Sequence, residues 1–142
     1  AGDVTANLFA KTTGTDADWV VKLIDVYPDS VPDNRTWGGY QLMTNADIMR
    51  GRYYKSWSVP APIPANTVTK FTVDLHQQLY RFKAGHRIMV QVQSTWFPLY
   101  DRNPQTYVPN IFEAKASDFK AQTHSVCWGP GQASHIAVGV LP

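Results

Sequence analysis

The side chains of this sequence that could do chemistry are few and scattered. They include four histidines, His76, His86, His124 and His135, and a single cysteine, Cys127. A thiol next to an imidazole becomes a nucleophile when the imidazole takes its proton. His124 and Cys127 are three residues apart, however, and on a strand that spacing sends the two side chains to opposite faces. Cys127 reads instead as a small buried apolar group. No His-x-x-x-His, Cys-x-x-Cys or His-Glu spacing supports zinc. Asp16, Asp18 and Asp25 are the kind of carboxylates that hold calcium in lectin-like sandwiches, but an Asp-x-Asp-x-Asp-Gly loop is missing. Capping of turns and strand ends is the plainer reading for them. His86 reads as a hydrogen-bonding group at the start of a strand. His124 and His135 read as facing each other across a terminal hairpin. Arg50 and Arg52 share one face if their segment is extended. With Arg87 and Arg102 they are candidates for buried or interfacial ion pairs, because a planar guanidinium grips a carboxylate through two bonds. Asp47 and Asp101 are candidate partners, and simple exposure is the alternative for each arginine. From these residues we assemble no catalytic set, no metal site and no cofactor site.

The elements that would position these groups are short strands. Lys83 to Thr106, KAGHRIMVQVQSTWFPLYDRNPQT, is the most informative stretch. Gly85 supplies a turn, since glycine alone takes positive φ freely. A strand follows, with Ile88, Val90 and Val92 on one face and Arg87, Met89, Gln91 and Gln93 on the other. From Trp96 to Asn103 the alternation stops. That segment is too apolar for a solvated loop and too rich in Pro, Asn and Asp for a strand, so it reads as a docking loop. Trp96, Phe97, Tyr100, Arg102 and Asn103 are its candidate contact residues. Val4 to Lys11 is a strand. Trp19 to Tyr27 is an inner strand, apolar on both faces. Tyr40 to Thr44 is a short strand, and Asn45 to Arg50 is expected to form one helical turn with Asn45 as its cap. Pro28 to Asn34 is a loop that includes Asp29 and Asp33. Pro60 to Pro64 runs extended across the surface. Thr67 to Leu75 alternates, with Phe71, Val73 and Leu75 on one face. Thr123 to Trp128 and Ser134 to Leu141 flank Gly129-Pro130-Gly131-Gln132 and read as a hairpin. Trp19 and Trp128 are expected in the core. Many short strands, many turns and no long helix define an all-β sandwich.

Composition narrows the function. The chain's 142 residues suit one domain with one core, and 44% hydrophobic content argues against disorder. The aromatic share of 13%, including five Trp, suits sandwich cores and interfaces. Thirteen basic and eleven acidic residues leave a net charge of only +2, without a basic run, so a phosphate-tracking nucleic-acid surface is excluded. No apolar run approaches the length that crosses a membrane. One cysteine excludes an internal disulfide but says little about compartment.

Gly85-His86-Arg87-Ile88, Ser94, Phe97-Pro98 and Asp101-Arg102-Asn103-Pro104 together resemble the C-terminal domain of a serine-hydrolase family. Its members are X-Pro dipeptidyl-peptidases, cocaine esterase and the α-amino-acid ester hydrolases with their glutaryl-cephalosporin acylase relatives. Thr15 to Pro28, Ile48-Met49-Arg50-Gly51-Arg52-Tyr53 and Ser134-His135-Ile136 through Leu141-Pro142 are similar too, so the resemblance runs from end to end. It is strongest toward the α-amino-acid ester hydrolase branch. It implies a jelly-roll β-sandwich of galactose-binding-domain-like type that lacks its first strands and is a fragment of a larger serine hydrolase. The partner it implies is the α/β-hydrolase catalytic domain of the same protein, whose active site this domain helps to bound. A Gly-x-Ser-x-Gly elbow, the strained turn that presents a nucleophilic serine, does not occur in the chain. The chain alone therefore carries no triad, and the family's catalytic residues fall in the other domain. A carbohydrate-binding or other ligand-binding jelly-roll module is the alternative. Self-association through an unpaired sheet edge is expected. The compartment is left open, with a bacterial periplasmic or secreted location favoured over the cytoplasm.

Overall fold

The computed structural model describes residues 1–32 and 34–141; Asp33 and Pro142, which figure in the loop and terminal readings above, lie outside the described residues. Among the described residues, seven strands and four short 3-10 turns make up the regular structure, the strands being β1 (Gly2–Thr12), β2 (Asp18–Val26), β3 (Gln41–Arg50), β4 (Thr69–Gln78), β5 (Arg87–Gln93), β6 (His124–Val126) and β7 (His135–Val138). In one sheet, β1 lies between β4 and the pair β6 and β7. In the other, β2 lies between β3 and β5. Every pairing is antiparallel. The result is the two-layer sandwich that the sequence implied.

Alternation places the core. On β1, Val4, Ala6, Leu8 and Ala10 turn inward, and on β4 so do Phe71, Val73 and Leu75; all seven are buried. They meet Trp19, Val21 and Leu23 of β2 between the sheets. Trp19 and Phe71 stack with ring centres 5.3 Å apart. β2 also buries Val20, Ile24 and Val26 on its other face. It is a strand covered on both sides, as its unbroken apolar pattern indicates.

Four local expectations are corrected. Asn45 to Arg50 is not helical: after a register shift at Thr44, β3 runs on to Arg50 paired residue for residue with Leu23 to Asp18 of β2. Asn-Ala-Asp carries a capping signal, but a full ladder with a central strand satisfies more backbone groups than one isolated turn could. Asn45 instead points inward and donates from Nδ2 to the Leu75 carbonyl at 2.9 Å, tying the two sheets together. The terminal runs do not form a ladder with each other either; the Ser134 amide donates to the Cys127 carbonyl at 3.0 Å, but the strands themselves pair elsewhere. β6 pairs with residues 10–12 of β1 and β7 with residues 4–7, so they lie end to end along one edge of β1. The Gly129–Gln132 turn closes an excursion that leaves that edge and returns to it. Between the two strands, the Cys127 amide donates to the Phe9 carbonyl and Ser134 Oγ accepts from the Phe9 amide. His124 and His135 therefore do not face each other. Trp128 sits on the excursion and is 87% exposed, not core.

Gly85 takes φ = +84°, as its turn requires. A Cβ there would meet nothing nearer than Pro28 Cγ at 3.9 Å, so the penalty for a side chain is conformational and not steric. Gly85→Val is expected to cost about 1–2 kcal/mol, the left-handed penalty of a β-branched residue. Urea denaturation checks this. A midpoint shift no larger than that of Gly129→Ala, at an open position, would remove the argument.

Candidate functional site

The aromatic loop is built outward from a buried polar clamp. Asp16 and Asp18 stand at the entry to β2, and Arg50 and Arg52 at the exit from β3, because β2 and β3 pair end to end with Asp18 opposite Arg50. Arg52 follows the strand in a 3-10 turn, Gly51–Tyr53, and is buried with Asp16. Its Nε and Nη2 donate to Asp16 Oδ2 at 2.9 and 2.7 Å. Nη2 also reaches the Val108 carbonyl at 2.8 Å, and the guanidinium lies over the Tyr107 ring. Arg50 grips Asp101 with two bonds, at 3.2 and 2.8 Å, and donates to its carbonyl as well. Asp18 is 3.4 Å from the same guanidinium. Asn103, itself buried, donates from Nδ2 to Asp18 Oδ1 and accepts from the Gln105 amide. These contacts anchor the 101–108 segment across the end of the second sheet. Residues 96–100 are left projecting.

The projecting part is aromatic. Trp96 stacks on Tyr100 at 6.0 Å between ring centres, and the Lys22 ammonium lies 4.6 Å over the Trp96 ring. Phe97 and Leu99 are each 64% exposed. The Arg102 guanidinium lies over two rings, Phe97 at 5.7 Å and Phe119 at 5.9 Å. Of the five residues singled out in this loop, Phe97 and Arg102 are exposed, while Trp96 and Tyr100 are half-buried, with Trp96 folded back on Lys22 of β2. Asn103 turns inward and holds the loop's shape. Phe119 and Lys120 escaped the sequence reading. An exposed aromatic beside a cation is too common a pair to stand out without its neighbours.

Burial pushes the Asp18 carboxyl up to about 6 from an ordinary 3.8; Arg50 and the Asn103 hydrogen bond oppose the rise, while Asp16 and Asp101 add to it. Burial works against the Arg50 charge, but Asp18 and Asp101 outweigh it and raise its pKa. At the far end of β2, Asp25 accepts from Tyr80 at 2.6 Å and from His86 Nδ1 at 2.9 Å. The first of these bonds raises the Tyr80 phenol to about 12. His86 thus makes the strand-start hydrogen bond expected of it. The His124 ring packs edge-on against Trp19 and donates from Nε2 to Gln105 Oε1 at 2.9 Å, and burial lowers its pKa. The remaining arginine and histidine pairs are Arg87 with Asp29 and His76 with Asp47.

The raised carboxyl has a signed consequence. Between about pH 4 and 6 the folded chain holds a proton on Asp18 that the unfolded chain has released. Its contribution to stability is thus fully present below the unfolded value and is lost as pH rises through about 6. Asp18→Asn removes this dependence. The variant's stability relative to the parent is expected to improve by about 2–3 kcal/mol between pH 4 and pH 7. Chemical denaturation at both pH values measures it. A difference that does not change with pH would mean that Asp18 titrates as an exposed carboxyl.

Fold and site together define an antiparallel β-sandwich domain with an aromatic loop clamped to one end. The chain belongs to the family of X-Pro dipeptidyl-peptidase C-terminal non-catalytic domains, whose profile matches residues 1–137. It is 32% identical over 140 residues to cocaine esterase from Rhodococcus sp. (strain MB1 Bresler), covering 99% of this chain and 23% of that protein. A solved α-amino acid ester hydrolase superposes with a TM-score of 0.94 at 51% identity, over 96% of this chain and 22% of the other. An aminopeptidase from a marine sediment Thaumarchaeota archaeon gives the same values. The chain thus spans less than a quarter of the length of each of these relatives.

Proposed function

We propose that this chain is the accessory β-sandwich of an α/β-hydrolase-type serine hydrolase acting on esters, amides or X-Pro peptides. It packs on the catalytic domain and forms part of the wall around the active site. One observation carries the reading. Ile88, Val90 and Val138 lie on the inward faces of β5 and β7, opposite Asp25, Leu23 and Val4. They are nevertheless 64%, 46% and 50% exposed. Inward apolar residues left open along one side of a sandwich call for more polypeptide to cover them. The outer edges of β5 and β7 are also unpaired among the described residues. The loop face of Trp96, Phe97, Tyr100 and Arg102, held in shape by Asn103, supplies a second contact surface.

The test uses the chain by itself. Simple activated esters should be hydrolysed no faster than background, because no nucleophile, base and oxyanion donors are assembled here. Sedimentation should report a dimer or larger species formed through the open side. Esterase activity that disappears on changing a single Ser, His or Cys would overturn the reading. A stable monomer at high concentration would weaken it.

A cleft of about 200 Å³ favours the ligand-binding alternative. Its lining includes Tyr53, Tyr54, Trp57 and Lys70, and Trp57 is 75% exposed, in a position to stack on a sugar ring. Glycan-array binding abolished by Trp57→Ala would establish that reading; an array without hits would dismiss it.

A further inference from the structure

We infer that the cleft between the 94–105 loop and the 119–121 segment is a carboxylate-binding site. Its volume is about 270 Å³, and Ser94, Thr95, Arg102, Phe119 and Lys120 are among its lining residues. Among the described residues, Arg50 pairs with Asp18 and Asp101, Arg52 with Asp16, and Arg87 with Asp29; of the arginines outside these pairs, Arg102 is the one that lines this cleft. Arg102 and Lys120 have none within 4.0 Å among the described residues. The acidic groups next to them in sequence are already engaged. Asp101 holds Arg50, and the Asp118 carboxylate accepts from the Lys115 amide at 2.8 Å.

The free guanidinium is also held in place. It lies near Phe97 and Phe119 at once, at 5.7 and 5.9 Å, and ring faces take none of its N–H donors as a carboxylate would. A planar fork held this way matches the two oxygens of a carboxylate and loses little freedom on binding it. Lys120 adds a second positive charge. The hydroxyls of Ser94 and Thr95, which make no hydrogen bond of their own among the described residues, add donors. Phe119, Pro104 and Ala121 provide apolar wall for the carbon chain that carries the carboxylate. Phosphate, hydrated on all sides, gains nothing from such a wall. The carboxylate has two sources with the same chemistry, a free small acid or an acidic group of a polypeptide. The inference rests on the cleft's own groups and not on the accessory-domain reading.

Nuclear magnetic resonance titration of the isotope-labelled chain, at constant ionic strength, tests it. Sodium butyrate is expected to give saturable shifts at Ser94, Thr95, Arg102 and Lys120. Its neutral counterpart butanamide should give none. Arg102→Gln should weaken the response at least tenfold while altering the free spectrum only around Phe97 and Phe119, since Arg102 is exposed and makes no hydrogen bond among the described residues. Lys120→Gln gives an independent reading from the second cation, with a smaller loss. A hexapeptide with a free terminal carboxylate, compared with its terminal amide, separates the sources. Peptide binding at least tenfold tighter than butyrate assigns the site to a polypeptide, and equal binding assigns it to small acids. The inference is overturned if butanamide shifts the same residues, if Arg102→Gln and Lys120→Gln bind as the parent does, if inorganic phosphate binds more tightly than butyrate, or if neither acid saturates.

Discussion

Arg52→Met is expected to destabilise the chain by about 3–5 kcal/mol, the cost of leaving a buried carboxylate without its charged partner. Asp16 is completely buried. With Arg52 removed, its Oδ2 would lose both of the bonds it accepts, and only Oδ1, bonded to the Ala17 amide, would stay satisfied. Methionine fills the volume but solvates nothing. The Val108 carbonyl would lose its donor as well, so the loop that carries the aromatic face would loosen along with the global loss. The measurement is a urea denaturation midpoint at constant slope. The double variant Asp16→Asn/Arg52→Met isolates the origin of the effect. It should recover a substantial part of the loss, because a neutral amide costs less to bury than an unpaired charge. A single-variant loss below about 1 kcal/mol, the range of an exposed pair, would mean that water reaches Asp16.

The second large effect lies one residue earlier. Gly51 adopts no left-handed conformation, so its backbone would tolerate alanine. Space is what forbids it. A Cβ would fall against the Ala17 carbonyl oxygen and the Ile63 Cδ1 methyl, both well inside contact. The Gly51 amide donates to that same carbonyl at 2.8 Å, so the carbonyl cannot withdraw without breaking a bond, and the Ile63 methyl can turn away only by a rotamer change within the core. Ile63 is 1% exposed and plugs this end of the core. Gly51→Ala is therefore expected to cost about 3 kcal/mol, at the upper end of overpacking penalties. Gly129→Ala is the control: nothing lies within 4 Å of its Cβ position, and a change within about 0.5 kcal/mol is expected. Equal effects at the two positions would show that lost backbone freedom, and not contact, governs both.

These two substitutions give physical content to the Arg50-Gly51-Arg52 triplet that carried part of the family resemblance. The glycine lets the 3-10 turn press against the start of β2. That approach brings both guanidinium groups over Asp16 and Asp18. Neither consequence was legible in the triplet itself, since Asp16 and Arg52 are 36 positions apart and Asp18 and Asn103 are 85. The pairing of β2 with β3 and the return of the 101–108 loop close those gaps.

What the sequence determined by itself was whatever depends on neighbours along the chain. Alternation on β4 and β5 named the face of each strand, because a strand's side-chain period is two whatever it packs against. The doubly apolar run of β2 declared a central position. Gly85 declared a turn with positive φ, and the short-strand, turn-rich pattern declared the sandwich. The tertiary structure decided everything that requires two distant segments to compete for the same backbone or the same charge. It drew Asn45 to Arg50 out of a local turn and into the ladder with β2. It laid β6 and β7 along one edge of β1 where the sequence suggested a hairpin, and it left Trp128 exposed on the excursion between them. It also left Ile88 and Val90 of β5 uncovered although their pattern marks them as inward. Long-range ladders and buried ion pairs outweigh local propensity because each satisfies polar groups that an isolated turn would leave to water. No window of sequence contains both partners.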